Sequence, residues 1–227
     1  MEPEAERHSK ALEVDLITDP DERARQEARN GLRQFDEVVE QVEYWLHPER
    51  PFKLRPSAIL SLHRRALEGI SAFAGVYRPA AIEIRGSAHN PPEAHLVPGL
   101  IEEMCDYVND NWGKSPLHLA AYVLWRMNWI HPFVDGNGRT ARAVCYLVLC
   151  VRLGYRLPGT NTIPEQISID KNPYYQALEA ADKAARTGKI DTVGMENLLE
   201  SLLANQLVSI FKAAKSGSSY PSGKNHT

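Results

Sequence analysis

His131-Pro-Phe-Val-Asp135-Gly-Asn-Gly-Arg139-Thr-Ala-Arg142, running on into Ala143-Val-Cys-Tyr-Leu-Val-Leu-Cys-Val151, is the stretch on which the fold turns. Its second part is apolar on every face, which suits a helix at the centre of a core rather than on its surface, and Gly154 supplies a C-terminal stop. Upstream, Leu117, Ala120, Ala121, Leu124 and Met127, with Val123 and Ile130, recur at helical spacing, so a second helix delivers the chain to His131. The polar part is then a loop between two core helices.

A helix start carries backbone N–H groups without intrahelical partners and a partial positive charge, which makes it an anion site. Gly136 and Gly138 are expected to let the backbone turn and a phosphate approach without a Cβ in the way, with the Asn137 amide added to the cradle. Arg139 and Arg142, three apart, share a face from which planar forks grip phosphate oxygens. Asp135 repels phosphate; its natural work is to hold Mg²⁺ between itself and the phosphates. His131, largely neutral near pH 7, is a base for a hydroxyl attacking phosphorus. Phe133 is expected to point into the core and pin the loop.

His131-x-Phe133-x-Asp135-Gly136-Asn137-Gly138-Arg139-x-x-Arg142 resembles the signature of the Fic family in full, a match expected by chance below roughly 10⁻⁷ of the time in such a chain. Leu62-His63, Ala74-Gly75-Val76-Tyr77-Arg78, Gly86-Ser87-Ala88-His89 with Pro91-Pro92, and Tyr174-Tyr175 resemble family features in the family's order, over about residues 55 to 185. The resemblance implies an all-α fold: a Fic/Fido helical core with a small β-hairpin flap. It also implies transfer of AMP from ATP to a Ser, Thr or Tyr hydroxyl of a target protein, with release of pyrophosphate. In that scheme His131 deprotonates the hydroxyl, Asp135 binds Mg²⁺, Gly136, Asn137 and Gly138 form the anion hole, and Arg139 and Arg142 hold the β- and γ-phosphates. A flap in the family pairs with the target's main chain, and here the period-two run Ile82-Glu83-Ile84-Arg85 before Gly86-Ser87 reads as a short strand and turn, placing the target between Ile82 and His89. Tyr174 and Tyr175 border the adenine by resemblance and offer a stacking face; core packing explains at least one of them equally well.

Doc-type kinases of the same fold reverse the nucleotide and carry a lysine where this chain has Gly138. Adenylylation is therefore the first expectation, with phosphotransfer or another phosphate-linked transfer, and a non-catalytic ATP-binding regulatory module, as alternatives. Members resembling this chain are often restrained by Ser/Thr-x-x-x-Glu-Gly/Asn, whose glutamate pairs with the second motif arginine. Thr192-Val193-Gly194-Met195-Glu196-Asn197 matches, a pattern that recurs by chance in roughly one chain of this length in five; its other reading is an ordinary solvated glutamate on a C-terminal helix. The N-terminal class needs its glutamate within residues 20 to 45, and Glu27-Ala28-Arg29-Asn30-Gly31 lacks the pattern. The chain is then unrestrained, or restrained by a partner such as an antitoxin-like inhibitor. His63, His95 and His118 show no ligand spacing. His89 either lines the target groove or hydrogen-bonds within the flap, and Arg78 reads as a structural ion-pair residue.

Composition bounds the rest. The 227 residues suffice for one core. A net charge of −3 without a long basic stripe argues against nucleic-acid binding, and no apolar run approaches the roughly 18 residues of a spanning helix. Three cysteines without ligand spacing fit a reducing interior. A cytoplasmic location is the simplest expectation, with secretion as an effector left open. Residues 1–20 read as a flexible charged segment, residues 21–213 as a single domain with flanking helices, and residues 214–227 as a disordered polar tail.

Overall fold

The computed structural model describes the backbone of residues 9–10 and 15–217 and the side chains of residues 15–212. Eight α-helices are present among them: α1 (Pro20–Trp45), α2 (Pro56–Leu67), α3 (Val97–Asp110), α4 (Pro116–Ile130), α5 (Asn137–Leu153), α6 (Ile163–Ile169), α7 (Asn172–Ala185) and α8 (Val193–Gly217). Several starts follow from local chemistry. Asp19, Ser115 and Thr162 accept the N–H three residues on, and a proline follows each at the first or second helical position, where its missing N–H costs nothing.

The apolar helix is the axis of the molecule. Thr140, Ala141, Val144, Cys145, Leu147, Val148, Leu149 and Cys150 of α5 are all buried, facing different directions around the helix. It packs on α4, α1, α2 and α6, while α8 closes over α4 and α7. Phe133 is fully buried, as expected. All three cysteines lie in this interior, and burial raises each thiol, Cys105 to about 12. No helix among the described residues is long and apolar enough to cross a membrane.

In the sequence the spacing of Leu32, Phe35, Val38, Val39, Val42 and Leu46 predicts the apolar stripe of a helix from Pro20 to about His47, and the buried face of α1 differs from it. Leu32 is 70% exposed, and the inward row runs through Asn30, Gln34, Val38 and Val42. The reason is the end of α2, whose last carbonyls lack intrahelical donors. Asn30 Nδ2 donates to the carbonyls of Glu68 (2.8 Å) and Ala66 (3.3 Å), and Gln34 Nε2 to that of Leu62 (3.0 Å). Satisfying buried acceptors outweighs burying one leucine.

Three further expectations are corrected. The strand after Ile82 is β2 (Glu83–Ile84), followed by a turn with Gly86 at φ 71°, and it makes no hairpin of its own. It pairs antiparallel with β1 (Ser9–Lys10), Ser9 opposite Ile84 and Lys10 opposite Glu83. The N-terminal segment expected to be flexible is thus partly built into the fold, since Asp15 also bridges to Ser71 and Leu16 N–H donates to Ile70 O (2.9 Å). Residues 1–8 and 11–14 lie outside the described residues. At the other end α8 runs on to Gly217, into the stretch expected as tail; residues 218–227 lie outside the described residues.

Gly154 ends α5 in the left-handed region at φ 84°, with its N–H returned to the carbonyls of Cys150 and Val151. A Cβ there would meet nothing within 4 Å, so only backbone strain opposes a side chain. Gly154→Ala is expected to cost about 1 kcal/mol, read as a lower midpoint in urea denaturation with an unchanged slope.

Candidate active site

The loop from α4 to α5 opens into a cleft of about 560 Å³ lined by His131, Asp135, Gly136, Asn137, Gly138, Arg139 and Arg142, with Tyr174 and Tyr175 of α7 and Ile84, Ser87 and His89 of the flap along its sides. Every site residue expected from the sequence lines this one space. A volume of this order is typical of small-molecule sites.

His131 caps α4 in a left-handed conformation, φ 51° and ψ 61°, the one described non-glycine residue with positive φ. Such a backbone is strained and persists only where its surroundings hold it. Arg78 does so. The residue is 2% exposed, and its guanidinium collects carbonyl oxygens rather than a carboxylate: His131 (Nε, 2.8 Å), Ala80 (Nη1, 2.9 Å), Pro92 and Ile130 (both Nη2). Arg78 N–H adds a bond to Pro132 O (2.9 Å). The expected ion pair is therefore absent among the described residues; the cation is balanced by the negative end of α4. Nδ1 of His131 lies 3.3 Å from Asn128 O, an acceptor, so Nδ1 carries the proton and Nε2 keeps its lone pair. Burial pulls this imidazole down to about 4, so it is neutral around pH 7.

His63 supports the loop from behind. Its ring stacks on Phe133, centroids 3.6 Å apart and planes 4° from parallel. Nδ1 accepts from Gly75 N–H (2.9 Å), which leaves Nε2–H to donate to Asp135 O (3.0 Å). Burial lowers this ring to about 4 as well.

Gly136 precedes α5 at φ 76°, and a Cβ on it would stand 2.7 Å from Leu67 Cδ2, so both conformation and space require glycine. Gly138 lines the cleft as expected but does not share in the backbone turn. It sits inside α5 without positive φ, and the absent Cβ leaves room for Arg142 Nη1, which would otherwise lie 3.2 Å away. Asn137 also differs: its Oδ1 accepts from Phe133 N–H (2.9 Å) and its Nδ2 donates to Phe133 O (2.8 Å), so the side chain braces the loop and its backbone, not its amide, is available to a ligand.

The charged side of the cleft holds two residues the sequence reading did not pick. Asp135 Oδ1 accepts from Gly136 N–H (2.5 Å), while Oδ2 is shared by Arg139 Nη2 (3.2 Å) and Arg23 Nη2 (3.1 Å) from α1. Glu27 of α1 reaches Arg23 (3.2 Å) and Arg139 (3.6 Å). Arg142 has no carboxylate partner among the described residues, and burial lowers its pKa. Beside it the buried Tyr174 hydroxyl, pushed up by burial, faces Asn128 without completing a hydrogen bond. His89 lines the cleft, and its side chain bonds through Nε2 to Trp129 O of α4 (2.7 Å) rather than within the flap.

Glu196 stands elsewhere. Its Oε1 bonds to Thr192 Oγ1 (2.8 Å) and His118 Nδ1 (2.9 Å) at the far end of α4, about 20 Å from His131 by helical rise over thirteen residues. It therefore braces α8 against α4 and does not meet Arg142.

Two predictions follow from these placements. Because His63 and His131 are held neutral, their folded values lie below the unfolded one of about 6.5; the stability they give is complete above that value and is lost as pH falls towards about 4. Urea midpoints across this range should fall and then level in this component, and NMR should show both rings neutral above about pH 5. Glu196→Gly is expected to cost about 1 kcal/mol of stability and to leave any transfer activity unchanged; a rise in transfer would return the glutamate to a restraining role.

A sequence model of the Fic/DOC family matches residues 53–149. A Fido domain-containing protein of Dictyostelium discoideum is 32% identical over 148 residues, covering 64% of this chain and 94% of that protein. The protein adenylyltransferase Fic of Drosophila willistoni is 34% identical over 128 residues, covering 55% of this chain and 24% of its own length. The chain thus spans about a quarter of the curated relatives of that name. Among solved structures, a Fic domain containing signaling protein of Bacteroides thetaiotaomicron superposes with a TM-score of 0.70 at 24% identity, covering 88% of this chain and 76% of that one. Signature, helical core and relatives agree, and this chain belongs to the Fic/Doc family.

Proposed function

We propose that the chain is a protein adenylyltransferase, transferring AMP from ATP to a Ser, Thr or Tyr hydroxyl of a target protein. The observation that carries this reading is the pairing of a neutral imidazole, its Nε2 unprotonated, with a half-buried Arg142 that meets no carboxylate among the described residues, across one cleft. A cation partly withdrawn from water with no anion beside it favours an anionic ligand.

The chemistry divides among the residues as follows. ATP lies with its phosphates on the N-terminal amides of α5 and its base towards Tyr174 and Tyr175. Arg142 and Arg139 hold the β- and γ-phosphates. The target's main chain runs along the flap between Ile82 and His89 and brings a hydroxyl to His131. His131 Nε2 takes the hydroxyl proton as the oxygen bonds to the α-phosphorus, the bond from that phosphorus to the bridging oxygen breaks, and pyrophosphate leaves.

The residues also fit Mg²⁺ in one specific manner. Asp135, the carboxylate of the loop that lines the cleft, would hold the cation together with nucleotide oxygens, the usual arrangement for this ion. There it would offset charge developing on the departing pyrophosphate. The name carried by the Drosophila relatives supports the same reaction.

The test is transfer of label from α-phosphate-labelled ATP with Mg²⁺ to protein in a matching lysate. His131→Ala should lower transfer at least about 10²-fold while ATP binding persists. The rate should be flat in pH above about 6, because the base is already unprotonated there. Label arriving only from the γ-phosphate would select phosphotransfer instead, and ATP binding without transfer to any protein would select a regulatory module.

A further inference from the structure

Tyr174 lines the cleft, yet it is 2% exposed and packs with the core. Its hydroxyl oxygen is buried and has no hydrogen-bond partner among the described residues. An unpaired buried hydroxyl costs stability that a phenylalanine would not, so packing alone does not account for it. Two neighbours leave it unanswered. Asn128, which it faces, commits Nδ2 to Leu124 O (2.6 Å) and its own carbonyl to the His131 ring (3.3 Å). Arg142, the charged group beside it, brings donors only. Burial raises the phenol, so it keeps its proton at neutral pH and is itself a donor. Two donors thus stand side by side on one cleft, and an oxyanion between them would accept from both.

Tyr175 supplies the contrast. Successive residues of a helix point about 100° apart. Tyr175 is half-buried, its ring centroid 5.7 Å from that of Tyr174, and of the two only Tyr175 is open enough to offer a base a face. The stacking expected of both therefore falls to Tyr175, and Tyr174 is left with its hydroxyl. Of the two phosphates assigned to Arg139 and Arg142, the β is the nearer to the base, whose side of the cleft α7 forms.

We infer that Tyr174 binds the nucleotide through its hydroxyl, which donates to a β-phosphate oxygen held also by Arg142, while Tyr175 faces the base. The inference rests on the reading of the cleft as an ATP site with its phosphates on α5. The hydroxyl is covered as the structure stands, and Arg142 is the flexible side chain next to it. Its Nη1 lies against Gly138, on the first turn of α5, and its turning onto a phosphate brings that phosphate's oxygen to the hydroxyl.

The experiment is calorimetric titration of the full chain with ATP, ADP and AMP in one buffer, for the wild type and Tyr174→Phe, with urea denaturation of both. The substitution keeps the ring and removes the oxygen alone. Affinity for ATP and for ADP should fall about tenfold, the weight of one hydrogen bond to a charged group, and affinity for AMP, which has no β-phosphate, should not change. The urea midpoint should stay at or above that of the wild type, because an unpaired group has been taken out of the interior. A hydroxyl that only braces the fold against Asn128 would give the opposite pair of results, a lower midpoint and the same loss for all three nucleotides, and that outcome overturns the inference. An ATP affinity unchanged by the substitution overturns it too. The expected pattern in a chain that transfers no AMP would leave the role of Tyr174 standing and remove the adenylyltransferase reading. A wild type that binds neither ATP nor ADP overturns the reading of the cleft, and the inference with it.

Discussion

The Arg78 guanidinium, buried among the carbonyl oxygens of Ile130, His131, Ala80 and Pro92, is the contact on which the site depends. The last turn of α4 leaves carbonyls without donors, and the chain must reverse at once to begin α5 after six intervening residues. A left-handed glycine is the usual solution at such a stop. Here the position is given to a histidine, whose side chain is needed in the cleft, and the strain is held by a cation that the helix end itself attracts. Phe133, stacked on His63, and the Asn137 side chain, bonded twice to Phe133, then fix the rest of the turn. The imidazole, the α5 amides and the two motif arginines consequently share one rigid frame.

That frame explains an electrostatic division of labour. Both histidines nearest the loop are kept neutral by burial, and each is tied through one ring nitrogen to a carbonyl that sets its tautomer. The permanent positive charge is left to guanidinium groups, which do not lose their proton under such conditions. An anion entering the cleft therefore meets a field that changes little with pH across the physiological range, while the base stays ready to accept a proton.

The sequence makes α4, α5 and the loop between them legible because all three depend on local pattern: an apolar run, a helical period, and a cluster of chemistry within twelve residues. Arg78 is visible there as a charge, but its partners are backbone carbonyls, and no side-chain pattern encodes those. Arg23 and Glu27 are more instructive. They continue, at spacings of three and four, the same inward row as Asn30, Gln34, Val38 and Val42, so the α1 face that packs on the domain is polar where it overlies the cleft and apolar beyond it. A stripe sought only in hydrophobic residues begins too late along α1 and is drawn to Leu32. β2 is readable from its alternation, but its partner is not, because Ser9 lies 75 positions from Ile84 and Lys10 73 from Glu83, and nothing local announces the pairing.

The three thiols bear on how this protein can be studied. Cys105, Cys145 and Cys150 are the chain's entire complement, all are inside, and burial holds each away from the reactive thiolate form. Maleimide or spin-label chemistry at neutral pH should pass them by in the folded state. A single cysteine placed at an exposed position such as Leu16 would then carry a fluorophore without any prior removal of native sulfur, and would report the surroundings of that position in the otherwise unaltered chain.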